Sequence, residues 1–440
     1  MGFVKNSYLS SIDSGYIYDD KYSDKILCYE CIANKALSNF IRANGSSAIC
    51  DYCGNRRKAV NLNTFMPAIM SGINYSYSRA NYELPRDYEE VGVKTYNIED
   101  LLYEELYDEI NARNDEILSD ISNLIIDEKW CVADPFSDRE EDTAFYDWQS
   151  FCKMVKENVR YMFYRAETDI SFRDNPVTIL DTIADYVERV KLVRKFDKNT
   201  KMYRCRTHIT NEWLSKCSDF APPPPEKATS GRMNAAGINV LYLALDPETA
   251  LCETNVGNMD YATIASFRIK NTIRVLDLTK IKSMALPSIF DEDNRHKRSP
   301  MLFLQRFSET ISQKRSNRDI DIDYVPTQIV TEFFRYVRTG NTEKYAGILY
   351  ESTQNPGGKC VALFLNRDEV LNQKYGIHII PNATTFYKKQ FIPVNDNNTA
   401  IAKSKLVENV LHNAKISDSS KKENILPKGH NHFLQDDVNN

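Results

Sequence analysis

The chain has 440 residues, 42% hydrophobic and 27% charged, with a formal net charge of −5. That length exceeds one ordinary core and implies two or three domains, while the charge gives no reason to expect tight, non-specific nucleic-acid binding. No run approaches the roughly 18 apolar residues of a membrane helix.

The N-terminus, MGFVKNSYLSSIDSGYIYDD, lacks the apolar centre of a signal peptide, and Asn6 stands where a myristoylation signal carries Ser or Thr. The first motif is Cys28-Tyr-Glu-Cys31, followed by Cys50-Asp-Tyr-Cys53-Gly54. Two such pairs, each at the tip of a tight knuckle, match a four-thiolate structural Zn²⁺ site with no open position for a water nucleophile. The other six cysteines (Cys131, Cys152, Cys205, Cys217, Cys252, Cys360) are scattered. Isolated thiols of this kind suit a reducing compartment, and a cytoplasmic location is expected.

Residues 60–90 are polar, rich in Tyr and without a clear period. From Asn97 the pattern is helical. Ile98, Leu101, Leu102, Leu106 and Ile110 recur at three- and four-residue spacing, as do Ile117, Leu118, Ile121, Leu124 and Ile125. Glu99, Asp100, Glu104, Glu105, Asp108 and Glu109 form a solvated acidic face opposite. A helix is predicted from Trp148 to Tyr164, with Phe151, Val155, Val159, Met162 and Phe163 inward. Another is predicted from Asn175-Pro176, with Ile179, Ile183, Val187 and Val190 on one face. These make an all-α middle domain.

Beyond Lys195–Lys201 the pattern mixes types. Strands are predicted at Val240–Leu245, Ile273–Leu278, Ile348–Tyr350 and Val361–Leu365. Helices are predicted at Asp246–Cys252, at Pro300–Lys314 with Ser299 as N-cap and Phe303, Phe307 and Ile311 inward, and at Pro326–Arg338. The arrangement is α+β rather than regular βαβ winding. Pro222–Pro225 is a stiff polyproline loop, and residues after about 395 form a polar, flexible tail in which His430 and His432 are solvated.

Within this region Arg204 and Arg206 close an apolar segment, and Arg232 lies in a Gly-bounded loop. Tyr242 sits in a strand, Glu253 on the helix that Asp246-Pro247 opens, and Ser352 just after a strand. One carboxylate, several guanidiniums, an aromatic ring and a hydroxyl are the parts needed to hold a dinucleotide and break its N-glycosidic bond.

The ordered motifs YRCR, GRMN, LYLALDPETALCE, DYVPTQIVTEFFR, GILYES and CVALFL resemble the RES family over roughly residues 196–380. The resemblance implies an ADP-ribosyltransferase-like α+β fold and an NAD-consuming toxin. Together with the cysteine spacing and the helical periodicity, it gives a zinc knuckle (20–60), a helical HEPN-like regulatory domain (61–195), a RES catalytic domain (196–385) and a polar tail (386–440). The helical region resembles the HEPN-like segments that precede some RES domains. HEPN ribonucleases carry Arg and His a few residues apart on one helix. Here Arg160 and Arg165 precede any histidine, the first being His208, so a second, RNA-cutting site is not expected and the region reads as a sensing or partner-binding module.

On this resemblance Glu253 is the catalytic carboxylate facing an oxocarbenium-like ribose. Arg204 or Arg206, which share a face if they lie on a strand, clamps the pyrophosphate, and Arg232 adds a further clamp. Tyr242 stacks on the nicotinamide ring or packs in the core, and Ser352 bonds the ribose or amide. No Gly-x-x-x-x-Gly-Lys, His-Glu-x-x-His or Gly-x-Ser-x-Gly motif is present, and GRMNAAG lacks the glycine spacing of a dinucleotide-binding turn. The expected activity is NAD hydrolysis or phosphorolysis by a toxin or defence effector. The alternatives are ADP-ribosyl transfer to a macromolecule, and an inactive zinc-helical binding protein. An antitoxin or trigger protein at the helical domain and a homo-oligomer stay open as partners; no membrane is expected.

Overall fold

The computed structural model describes residues 23–85, 92–125, 128–164, 178–209, 214–254, 261–312, 320–337, 344–380 and 386–388. The predictions that fall on Gly2, Arg165, Asn175-Pro176, Lys314, Arg338 and the tail from residue 389 lie outside these residues. The chain divides into two compact units, Met1–Leu192 with Lys280–Ile311, and Val193–Thr279 with Ser312–Asn440.

In the first unit, strands β1 (Ile26–Cys28), β2 (Ser46–Ile49) and β3 (Arg56–Asn61) form an antiparallel sheet in the order β1-β3-β2. Helix α1 (Lys35–Asn44) starts where the Asn34 side chain accepts from the Leu37 amide, and buries Leu37 and Ile41. Helix α2 (Leu62–Ser76) resolves the stretch that shows no period in the sequence. Asn61 caps it, and Leu62, Phe65, Met66, Ile69, Met70 and Ile73 are buried.

The apolar spacing after Asn97 places its residues inward, yet the helix is not continuous. The turn Ile98–Asp100 passes into a π turn, Leu101–Glu105; a short helix, Tyr107–Ile110, then ends at Asn111, whose φ of 54° is left-handed. Asn tolerates that conformation because its short amide can bond locally. Helix α3 (Asp115–Leu124) follows, capped by Asn114. The acidic face is exposed except at Glu109, which is half-buried, pairs with Arg298 at 3.3 Å and accepts from the Ile289 amide.

The all-α expectation needs correction. Strands β4 (Tyr77–Arg79) and β5 (Trp130–Val132) make an antiparallel ribbon inside the helical region, with β-favouring Tyr, Trp and Val in the two strands. The helix expected over 148–164 is α4, Glu140–Glu157: an acidic first turn (Glu140, Glu141, Asp142) favours the earlier start, and the helix closes at Asn158. Met162 is consequently exposed rather than inward, although Phe163 still packs edge-on against Phe151. Helix α5 (Thr178–Val190) buries the expected Ile179, Ile183, Val187 and Val190. One hydrophobic core runs from Leu27, Cys28 and Cys31 of the knuckle through α1, α2 and α3 to Trp130, Ile289 and Phe290.

The second unit is built on a mixed sheet. Its strands are β6 (Val193–Phe196), β7 (Met202–His208), β8 (Leu241–Ala244), β9 (Tyr261–Arg268), β10 (Ile273–Asp277), β11 (Gly347–Glu351), β12 (Lys359–Leu363), β13 (His378–Ile380) and β14 (Phe386–Lys388). The order is β13-β9-β7-β8-β12-β11-β10-β6, with β14 also on β9, and only β10 and β11 run parallel. Residues 386–388 therefore belong to the sheet, not to the tail expected from 386. Strand β7 pairs with β9 over seven residues but with β8 only at Tyr203↔Ala244. The sheet opens beyond that pair.

Helix α6 (Pro247–Glu253) lies one residue later than the expected Asp246–Cys252. Asp246 caps it, its carboxylate accepting from the Thr249 amide and hydroxyl at 2.7 and 2.8 Å. Helix α7 (Arg298–Ser312) and helix α8 (Val325–Tyr336) follow. Ser299 lies within α7 instead of capping it. Phe303, Phe307 and Ile311 are buried as expected, but α7 groups with the first unit: Phe307 meets Trp148 edge-on at 4.9 Å and Phe303 meets Tyr186 at 5.4 Å. The chain leaves the second unit at Thr279 and returns at Ser312. In that excursion Phe290 seats its ring against Gly72, where any Cβ would overlap it.

Candidate functional site

The carboxylate site forms where α6 ends beside the central strands. Pairing aligns Tyr350 on β11, Cys360 on β12, Ala244 on β8 and Tyr203 on β7 in one row. Opposed residues of an antiparallel sheet point to one face, and so do alternate residues of a strand. Tyr242, Tyr350 and Cys360 thus share a face.

Glu253 is the last residue of α6, and its Oε1 accepts from the Ser352 hydroxyl at 2.5 Å. Ser352 is buried and its Oγ accepts from the Gln354 and Asn355 amides at 3.1 and 2.9 Å. Asn355 in turn donates to Thr249 Oγ1 at 2.8 Å, so the 352–358 turn is fastened to both ends of α6. Gly358 is required there, since a Cβ would run into Thr249 Oγ1. Burial pushes the Tyr350 phenol far above its ordinary range, and the nearby Cys360, Tyr242 and Glu253 add to the shift. Burial, then the Glu253 charge, pushes the Cys360 thiol up as well. Both stay protonated at neutral pH.

The GRMN loop is held from two sides. The Tyr242 hydroxyl donates to Asn234 Oδ1 at 2.7 Å and accepts from the Met233 amide at 3.0 Å. A Cβ at Gly231 would collide with both the Asn234 amide and that hydroxyl. From α8, the Gln328 amide donates to Ser230 Oγ, the Gly231 carbonyl and the Asn234 carbonyl, and Thr327 Oγ1 donates to the Arg232 carbonyl at 2.7 Å. The Arg232 guanidinium lies 6.0 Å from the Tyr324 ring centre and 5.7 Å from that of Tyr350, within cation–π range.

Arg204 and Arg206 share a face of β7, opposite Ala265 and Thr263 of β9. It is the face of Met202, Ala265 and Phe267, whereas Tyr203 belongs to the Tyr242 face. Arg204 sits where β7 and β8 part and gives one N–H to the Phe220 carbonyl at 3.1 Å. Burial, with the Arg206 charge behind it, pulls its guanidinium down to about 9, which leaves a cation at neutral pH; the field of Tyr242 acts the other way. Arg206 donates through Nε to the Asp219 carbonyl and through Nη2 to the Ala221 carbonyl, and burial lowers it too. The structure thus gathers Glu253, Ser352, Tyr242, Arg232, Tyr350 and Cys360, sets Arg204 at the opening, and turns Arg206 to the 219–221 backbone. Tyr350, Thr327, Gln328 and Cys360 lie in segments whose motifs the sequence reading marks, but nothing in the pattern singles them out.

The four knuckle thiols form a separate centre. Their sulfurs all lie within 4.8 Å of one another, and Cys28–Cys31, Cys28–Cys53 and Cys31–Cys50 are 3.6, 3.7 and 3.7 Å apart. All ten cysteines are free thiols. Cys28, Cys31 and Cys50 are buried, Cys53 is exposed, and Gly54 takes the left-handed φ of 70° that the turn needs. Four sulfurs converging from two knuckles could hold a metal ion. Among the described residues no helix is long and apolar enough to cross a membrane.

Comparison with known families agrees with both regions. The HEPN/RES N-terminal domain 1 matches residues 43–169 and the RES domain matches residues 201–379. No curated protein and no solved structure matches the chain. The chain carries a RES domain at residues 201–379 behind a HEPN/RES N-terminal domain 1 at residues 43–169.

Proposed function

We propose that the chain degrades NAD, releasing nicotinamide by hydrolysis or phosphorolysis, as a toxin or defence effector governed by its N-terminal unit. The observation that carries this reading is Glu253: a carboxylate fixed by Ser352, beside an arginine and two tyrosines, in a domain whose family acts on NAD. When the bond from ribose C1′ to the pyridinium nitrogen breaks, nicotinamide leaves with the bonding pair as a neutral molecule, so no strong acid is needed. Positive charge develops on the ribose, and the fixed Glu253 charge, held in place by Ser352, stabilises it. An oxygen of water or phosphate then closes the bond to C1′; with water, the proton passes to Glu253 and on to solvent. Arg204 and Arg232 hold the phosphates, and Tyr242 borders the ring.

The knuckle metal in this reading is Zn²⁺. With Zn–S bonds of about 2.3 Å a tetrahedral site has sulfurs about 3.8 Å apart, close to the observed spacing. Four thiolates would close the coordination shell, which makes the ion structural. Free thiols throughout agree with a reducing, cytoplasmic setting.

The test is incubation of the full chain with NAD, with and without phosphate. Nicotinamide release supports the reading, and the co-product separates ADP-ribose from its 1″-phosphate. Label that appears only on a macromolecule would favour ADP-ribosyl transfer. No release under any condition would favour the binding-protein alternative.

A further inference from the structure

Five consecutive carbonyls, those of Ser218, Asp219, Phe220, Ala221 and Pro222, each accept from an arginine side chain. Arg367 Nη1 donates to Ser218 and Pro222 at 3.2 and 2.9 Å, Arg206 donates to Asp219 and Ala221 at 3.1 and 3.2 Å, and Arg204 donates to Phe220 at 3.1 Å. Among the described residues none of the three makes an ion pair. Carbonyl dipoles carry no net charge, so three gathered cations are only partly compensated, and an anion would be welcome beside them.

The three are not equivalent. Arg206 and Arg367 each bridge two carbonyls, which fixes the plane of the guanidinium fork. Either could turn to a phosphate only by leaving two part-buried carbonyls without their side-chain donor. Arg204 has a single carbonyl bond, and among the described residues its remaining N–H groups have no protein partner. It also lies where β7 and β8 part, within the field of Tyr242.

We infer that Arg204 alone of the three faces the ligand and grips a nucleoside diphosphate, while Arg206 and Arg367 are positioning residues that set the Ser218–Pro222 segment on which Arg204 leans. The inference rests on the NAD reading for the ligand class. It adds Arg367, which no motif marks, and it separates the roles of two arginines that are alike in sequence.

The experiment is a double-mutant cycle read by calorimetric titration of ADP into the full chain. Arg204→Met should weaken ADP binding about tenfold or more, as loss of a charge-assisted phosphate contact does. Arg206→Met and Arg367→Met should each weaken it several-fold in the wild-type background. In the Arg204→Met background each should add no more than about twofold, because their effect runs through Arg204. Losses from Arg206→Met that equal those of Arg204→Met and add to them would overturn the inference, as would a wild-type chain that binds no ADP. If Arg206→Met does not fold by circular dichroism, Arg206→Lys takes its place in the cycle, with the same full coupling expected. A chain that binds ADP with this coupling yet releases no nicotinamide would sink the NAD-cleavage reading and leave this one standing.

Discussion

Ser352 and Glu253, ninety-nine residues apart in the chain, meet through a hydroxyl-to-carboxylate hydrogen bond of 2.5 Å. Two backbone amides point their donors at the same hydroxyl oxygen, so its proton is directed outward to the acid. The carboxylate at the end of a seven-residue helix is thereby oriented from a turn in another part of the sheet.

Glu253→Gln should cut nicotinamide release on the order of a hundredfold or more, the usual loss for one preorganised charge. NAD affinity should be nearly unchanged, because the ground-state ribose is not yet cationic. Ser352→Ala should cost less in turnover, since it frees the carboxylate without removing it. Single-turnover assays with calorimetric NAD binding check both; wild-type turnover by Glu253→Gln would refute the site.

Gln328→Ala should loosen the GRMN loop. It removes the donor shared by Ser230, Gly231 and Asn234; the two carbonyls keep the backbone bonds they make to each other's amides, so the loss is that of ordinary hydrogen bonds, about 0.5–1.5 kcal/mol each. The expected signature is a raised KM for NAD with a lowered thermal midpoint. Unaltered KM and midpoint would show that the loop is held otherwise.

The knuckle should carry about one zinc per chain by elemental analysis. Chelation, or Cys50→Ser, should destabilise the entire first unit and not a local turn, because Cys28, Cys31 and Cys50 belong to its core. Nicotinamide release should persist. Fully folded, metal-free protein would rule the site out.

Thiol labelling should sort the cysteines by environment. Thiolate, not thiol, is the nucleophile. Cys217 is exposed and should react quickly, whereas Cys360 is buried and shifted above its ordinary value of 9.0, so it should stay unlabelled until the chain unfolds. Its folded-state proton is held more tightly than its unfolded one. The associated stability is therefore fully present below about pH 9 and declines as the pH rises beyond it. Mass-spectrometric mapping after pulse labelling reads the order directly; early modification of Cys360 would contradict it.

RNA cleavage should be absent from the Glu253→Gln full chain. No histidine precedes His208, and Arg160 lies past the end of α4 instead of on a helix. Degradation of RNA by that variant, tracking with the purified protein, would defeat this expectation.

Much of the secondary structure was legible because burial imposes a period. The runs at 240–245 and 273–278 hold strands, the one expected at 361–365 begins two residues earlier as Lys359–Leu363, and Asp246-Pro247 opens a helix by capping and by the fixed φ of proline. The paired knuckle cysteines were legible through their spacing alone. What stayed hidden depends on contacts between distant segments. The left-handed turn at Asn111 interrupts a pattern whose apolar spacing continues through it. The contacts of Arg206 and Arg367 are with backbone carbonyls, which leave no trace in residue type. The allegiance of α7 was equally invisible, since an amphipathic stripe states that a face is buried and not against what.

The excursion between Thr279 and Ser312 bears on how this chain can be dissected. Its path crosses the divide between the compact units at three places, 192/193, 279/280 and 311/312. A cut at one of them yields no self-sufficient piece: a fragment ending near 192 lacks Ile289, Phe290, Phe303 and Phe307 from its interior, and the remainder displays them to water. A chimaera that exchanged only the leading 192 residues would confront those same side chains with a foreign core. Transplanting the first unit onto another protein requires moving residues 280–311 with it, and proteolytic nicking inside that stretch should leave the halves associated without a covalent link.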